Sequence, residues 1–179
     1  SEGATALHLA AWGKSLAAIE ALLGVGAEID AIDNGGHSPL YLATVGSELD
    51  AACLLLSEGA DPNAAGSEMT GPLLAAAISG DVATAELLLE AGAEPCPAES
   101  SHLTPLEAAI VGGHAEVVEA MLQMDRLVRP SDDKWRQVQL LAQSSDAENA
   151  VSLFEECDAR LVDPSDAALP SGTETHEED

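Results

Sequence analysis

Aromatic and basic side chains are what this 179-residue chain has least of. Two Trp, one Tyr and one Phe are its whole aromatic complement. A core must therefore be built from Ala, Leu, Val and Ile, and side chains of that size suit thin helical layers packed at close range. Lys and Arg number 6 against 32 Asp and Glu, for a formal net charge of −26. The basic residues are Lys14, Arg126, Arg129, Lys134, Arg136 and Arg160, so neither Lys nor Arg occurs from Ser15 to Asp125. A surface of that sign repels phosphate backbones and anionic headgroups, which argues against nucleic-acid and membrane-surface binding. The acidity itself reads either as a solubility or salt-adaptation feature or as attraction of a basic partner.

Cysteine is scarce too. Cys53, Cys96 and Cys157 are odd in number, far apart and without a C-x-x-C pair. This fits a reducing, intracellular compartment (cytoplasmic or nuclear) better than a disulfide framework or a zinc site. No apolar run approaches the ~18 residues of a membrane span, and no signal peptide is visible. The opening on Ser1, just ahead of the first ordered motif, is read as a segment of a longer polypeptide.

What the chain does have is a beat. Thr5-Ala6-Leu7, Ser38-Pro39-Leu40, Gly71-Pro72-Leu73 and Thr104-Pro105-Leu106 follow one another every 33 residues. Gly26-Ala27-Glu28, Gly59-Ala60-Asp61 and Gly92-Ala93-Glu94 keep the same interval. A fixed period of this length marks a repeat architecture. Within each unit Ser38 or Thr104 suits a helix N-cap, and Pro39, Pro72 and Pro105 suit the first helical position, where no N–H is needed. A short Ala- and Leu-rich helix follows. A break comes next at Gly13, Gly46, Gly80 or Gly112-Gly113. A second helix with apolar residues at helical spacing then ends at Gly26, Gly59 or Gly92, each placed for a left-handed cap. The segment up to the next unit, as in Asp33-Asn34-Gly35-Gly36, reads as a turn.

These units resemble the ankyrin repeat. Thr5-Ala6-Leu7-His8-Leu9-Ala10-Ala11, the run from Leu55 to Ala64, and Gly113-His114-Ala115-Glu116-Val117-Val118 carry the resemblance, which covers residues 1–124 as four repeats at about 1–32, 33–65, 66–98 and 99–124. It implies an all-α fold, an ankyrin-repeat solenoid of stacked helix-turn-helix units with projecting β-turns. Met69 and His102 replace the glycine found at Gly3 and Gly36, so the third and fourth turns are expected to be distorted. Past Asp125 the pattern stops. Residues 125–162 read as a solvated basic connector around Trp135 followed by two degenerate capping helices, Val138–Ala142 and Ala147–Phe154. Residues 163–179 read as an acidic disordered tail.

No catalytic constellation is present: no G-x-S-x-G, no Walker loop and no H-E-x-x-H. His8 and His114 occupy positions where the ankyrin pattern uses His to tie turns to helices. The chain is therefore read as a non-enzyme with no cofactor and no metal, acting as a monomeric protein–protein interaction module. The resemblance implies a concave face lined by first helices and turn tips. On it, Trp12, Val45, Ile78 and Val111 recur every 33 residues at the end of each first helix. They either form an exposed apolar stripe that binds a protein or peptide, or pack against neighbouring turns. Asn34, His37, Glu68 and Ser101 are the candidate contacts at the turn tips, and Asp33, Glu68 and Glu99 are expected to place negative charge beside the stripe for a partner with a basic rim. Asn63, with Leu55 eight residues before it, also resembles the context of ankyrin asparagines modified by an asparaginyl hydroxylase. Two other functions remain: a regulatory or targeting segment of a larger enzyme, and a spacer without a specific partner.

Overall fold

The leucine of each phrase is buried in every unit. Leu7, Leu40, Leu73 and Leu106 are all within 3% of full burial, each two residues after a first-helix N-cap. The computed structural model describes residues 3–65, 71–96, 103–123, 132–144 and 151–154. First helices are α1 (Ala6–Trp12), α3 (Pro39–Val45), α5 (Pro72–Ser79) and α7 (Pro105–Gly112). Second helices are α2 (Leu16–Gly24), α4 (Leu49–Ser57), α6 (Val82–Glu90) and α8 (Ala115–Leu122), and α9 (Asp132–Ser144) follows. Among the described residues there is no strand.

Each first helix packs on the next, α1 on α3, α3 on α5, α5 on α7 and α7 on α9, while α2, α4, α6 and α8 form a second row behind them. The small residues permit this. Ala43, Ala76 and Ala109 have no exposed surface, and Ala52 and Ala85 on the second helices have none either. Burying one leucine is worth about 1.5–3 kcal/mol, against about 1 kcal/mol for a helix cap. Stacking therefore outweighs capping, and helices of seven to nine residues, too short to persist alone, are held by their neighbours. The caps set where each helix begins: Ser38 Oγ accepts from Tyr41 N–H at 3.1 Å, and Thr104 N–H donates to the Glu107 carboxylate at 2.8 Å.

Hydrogen bonds repeat with the same beat. Asp30 Oδ1 accepts from the backbone N–H of Asp61 at 3.0 Å, and Asn63 Oδ1, 33 residues on, accepts from that of Glu94 at 3.0 Å. Asn63 adds a second bond, its amide donating to the Gly92 carbonyl at 3.1 Å. Asp30 has no donor to match it. Burial and the nearby Asp61 and Glu28 carboxylates push the Asp30 carboxyl above its ordinary range, against the Asp61 N–H bond, which lowers it.

The break between the two helices falls where the sequence reading puts it, and its backbone differs between the first two units and the last two. Gly13 and Gly46 are right-handed, with φ of −83° and −73°. The left-handed residue is the next one: Lys14 (φ 61°), Ser47 (54°), Gly80 (72°) and Gly113 (71°). Two units therefore carry a side chain where glycine would be unstrained, at about 1–2 kcal/mol each. The second-helix ends follow the expectation, with Gly26, Gly59 and Gly92 at φ of 86°, 94° and 101°. The turn of the second unit closes through Gly36 N–H on the Asp33 carbonyl at 3.0 Å and Asp33 N–H on the His37 carbonyl at 2.9 Å. The turns holding Met69 and His102 lie outside the described residues, as does the expected tail.

At the far end, α9 begins at Asp132, six residues before the expected helix start, and draws Trp135 into the core at 1% exposure. Trp135 is thus a core residue rather than part of a solvated connector. Phe154 meets it edge-on at 5.1 Å between ring centroids, so two of the four aromatics serve the terminal layer.

Two stability outcomes follow. At Gly80 an added Cβ would lie 2.5 Å from His114 Nδ1, whereas at Gly113 nothing lies within 4 Å. Gly113→Ala should cost about 1 kcal/mol from backbone strain alone. Gly80→Ala should cost roughly 2–3 kcal/mol, because His114 must also release the Ile78 carbonyl. Urea denaturation measures both, and equal costs would contradict the collision. Asp30→Asn should stabilise by about 0.5–1 kcal/mol at pH 7 by adding a donor toward the Gly59 carbonyl. A raised carboxyl pKa favours folding fully below the unfolded value and loses that contribution as pH rises through the folded one. The Asn advantage should accordingly shrink from pH 7 toward pH 3. A denaturation midpoint no higher than wild type at pH 7 would refute it.

Candidate functional site

The candidate site grows out of the last turn of each first helix. Leu7, Ala10 and Ala11 point into the core from α1, which leaves Leu9 and Trp12 on the opposite arc of the wheel. The same register acts in α3, α5 and α7. Trp12 is 53% exposed, Val45 45%, Ile78 59% and Val111 63%. One exposed valine needs no explanation. Four apolar side chains at one register on adjoining helices, with axes about 10 Å apart, form a band roughly 30 Å long. Leu9, 64% exposed, widens it beside Trp12. The sequence reading did not single out Leu9; its place one helical turn before Trp12 was the available signal.

Two histidines hold this band in place. His8 Nδ1 accepts from Thr5 N–H at 3.1 Å. Nε2 is then the protonated nitrogen, and it donates to the His37 carbonyl of the next unit at 2.9 Å. His114 Nε2 lies 3.1 Å from the carbonyl of Ile78, fixing the backbone beneath one of the band residues. Both act as ties between units, and His8 is buried with a partner on each ring nitrogen.

At the turn edge Asn34 is exposed, and His37 is half-buried with its ring stacked on Tyr41 at 4.6 Å and 12°. Asp33 corrects an expectation. Its side chain has no exposed surface, because its carboxylate is used by the turn. Oδ1 accepts from Gly35 N–H at 2.8 Å and His37 N–H at 3.0 Å, and His37 Nδ1 lies 3.3 Å from Oδ2. This is side-chain turn chemistry, and it leaves Asp33 unable to lend charge to a rim. Glu68, Glu99 and Ser101 lie outside the described residues.

Charge is segregated. Of the described exposed acids, Glu20, Asp50, Glu86, Glu90, Glu116 and Glu119 stand on second helices, Glu28, Glu58, Asp61 and Glu94 in the segments that follow them, and Asp133 on α9; none stands on a first helix. α1, α3 and α5 carry no charged residue, and Glu107 on α7 is buried. Lys14, the one cation of residues 1–125, pairs with Glu48 of the next unit. The band is therefore neutral and apolar, and the negative field comes mainly from behind it. A shallow open depression between α6 and α8, lined by Glu86, Leu89, Glu90, Ala120 and Gln123, lies in that acidic row. Among the described residues no three His, Cys, Asp or Glu gather as a metal site, and no helix is long and apolar enough to cross a membrane.

Comparison with known families agrees with this architecture. A family described as ankyrin repeats in three copies matches residues 1–66, and one described as ankyrin repeats in many copies matches residues 73–122. No curated protein matches the chain. Ankyrin repeats are generally protein–protein interaction modules, are typically non-catalytic and are commonly found inside cells. The 33-residue beat, the paired helices in two rows and these matches together mean that the chain belongs to the ankyrin-repeat family.

Proposed function

We propose that this chain recognises a protein or peptide on its first-helix face, as a monomer without chemistry of its own. The observation that carries the reading is the exposed periodic band of Trp12, Val45, Ile78 and Val111, with Leu9 beside Trp12. Trp12 is the main anchor, since a Trp that becomes buried on association is enriched among energetic hot spots. Asn34 and His37 supply polar contacts at the edge, and Glu68 and Ser101 are the further candidates in the next two units. The partner offers apolar anchors to the band. Its basic residues respond to the net charge of −26 mostly at long range, because no described exposed acid stands on a first helix.

Panning a random peptide library against the intact chain supplies ligands for the test. Selected peptides should combine aromatic or aliphatic anchors with Lys or Arg. Trp12→Ala and Ile78→Ala should each weaken them by roughly tenfold or more. The association rate should fall as salt rises from about 50 to about 500 mM, with dissociation little changed. Unchanged affinity in both variants would remove the band as the binding surface. A salt-independent association rate would remove the basic partner.

A further inference from the structure

Successive residues of the exposed band are one repeat apart, and that step limits the shape of a partner. Trp12, Val45, Ile78 and Val111 stand on adjoining helices, whose axes lie about 10 Å apart. An α-helix advances about 10.5 Å in seven residues and returns to nearly the same side. A polyproline II segment advances about 9.3 Å in three residues and also returns. A β-strand covers about 10 Å in three residues, but the third then faces away. Spacing leaves a helix with an apolar residue in every seven, or a polyproline II chain with one in every three.

The chemistry of the face decides between them. Besides Trp12, the first helices carry five polar side chains: His8, Tyr41, Thr44, Ser79 and Glu107. Four of them already serve bonds within the chain. His8 ties two units, and Glu107 accepts from Thr104. Thr44 Oγ donates to the Leu40 carbonyl at 3.0 Å, and Ser79 Oγ to the Ala76 carbonyl at 3.1 Å. Tyr41 stacks on His37 at the turn end of α3. A polyproline II chain keeps its backbone unbonded, so on this band its carbonyls would lose water and gain no side-chain donor beyond the Trp12 indole. Such chains dock in grooves lined by aromatics, and Trp12 is the one aromatic of the band. Strand addition needs a sheet edge, and the described residues hold no strand. An α-helix bonds its own backbone internally and offers side chains alone, which is what an uncharged apolar row can receive.

The row is also graded. Leu9 precedes Trp12 by one turn and Leu16 follows it across the break, both exposed. Half-buried Leu42 and exposed Leu49 bracket Val45 in the same way. The same positions around Val111 are Ala108 and Ala115. Apolar surface is therefore broad over the first two units and narrow over the fourth.

We infer, on the reading that this face is where the partner binds, that the partner segment is an amphipathic α-helix of about 22 residues. It lies across the four first helices with an apolar side chain in every seventh position meeting Trp12, Val45, Ile78 and Val111. Its strongest contacts fall over the first two repeats.

The probe is a synthetic peptide of about 22 residues made of Ala, Gln and Lys, with Leu at every seventh position and three residues after each. One control is an isomer with the same leucines spread around the helix. The other is a proline-rich peptide with Leu at every third residue. Each is titrated into the full chain and followed by tryptophan emission. Trp135 is already buried at 1% exposure, so a blue shift reports Trp12. The heptad peptide should bind about tenfold or more tighter than either control. Trp12→Ala should weaken it by about tenfold, and Val111→Ala by less. Removing one heptad should cost about tenfold, while a fifth should add little, because Val111 ends the row. No binding of the heptad peptide, equal binding of either control, or an equal gain from the fifth heptad overturns the helix. A proline-rich peptide that binds tighter and still responds to Trp12→Ala overturns the helix and leaves the face standing. Heptad binding indifferent to both Trp12→Ala and Ile78→Ala removes the face itself. A free chain that sediments as a dimer, dispersed by Trp12→Ala, assigns the face to a second copy and overturns the proposal as well.

Discussion

Each repeat in this chain completes its neighbour's core. A pair of helices seven to nine residues long has a leucine at the base of the first helix and alanines facing both ways, which is too little to exclude water alone. Placed against the next pair, Leu40 or Leu73 loses essentially all contact with solvent, and the alanines bring the helices close enough for side-chain oxygens and imidazoles to reach across. The ties follow from that close approach. His8 reaches the His37 carbonyl, Asp30 reaches Asp61, Asn63 reaches Glu94, and His114 reaches Ile78. Stability in such an array approximates a sum of unit and interface contributions, so what happens at one boundary is felt mainly by the two repeats that share it.

Most of this architecture was legible in the sequence, because a period needs only its own recurrence to be seen. The leucine phrase, the N-cap serine and threonine, the first-turn prolines and the second-helix cap glycines all sit where their chemistry predicts. The break between helices was legible in position, but not which of its residues turns left-handed. A glycine beside the true left-handed position looks like the left-handed position, and only backbone angles show Lys14 and Ser47 taking the strain. The start of α9 was misread for a related reason. Trp135 stands among basic residues that signal solvent locally, but an indole reaching the last open layer is decided by tertiary contact.

The candidate site was legible in register and not in electrostatics. Sequence spacing alone brings Trp12, Val45, Ile78 and Val111 into line. Whether an acidic residue faces the same side depends on which hydrogen bonds its carboxylate already serves. Asp33 illustrates this: a turn-forming aspartate and a rim-forming aspartate have the same sequence signature, and the turn won because two backbone N–H groups and an imidazole converge on it. Among the described residues an exposed apolar band on the first helices stands apart from the acids of the second helices and the segments after them. Charge can then govern how fast a partner arrives while apolar contact governs how long it stays.

The absence of basic residues from the regular repeats has a consequence beyond charge. Acetyl, methyl and ubiquitin-type groups are attached at lysine, and the chain has lysines only at Lys14 and Lys134. The first sits at the break of the first repeat, paired with Glu48, and the second belongs to the terminal helix. Lysine-directed marks are therefore confined to those two positions and cannot fall on residues 15–133. A mark on the repeats between them has to use another side-chain chemistry, as the asparagine context at Asn63 would.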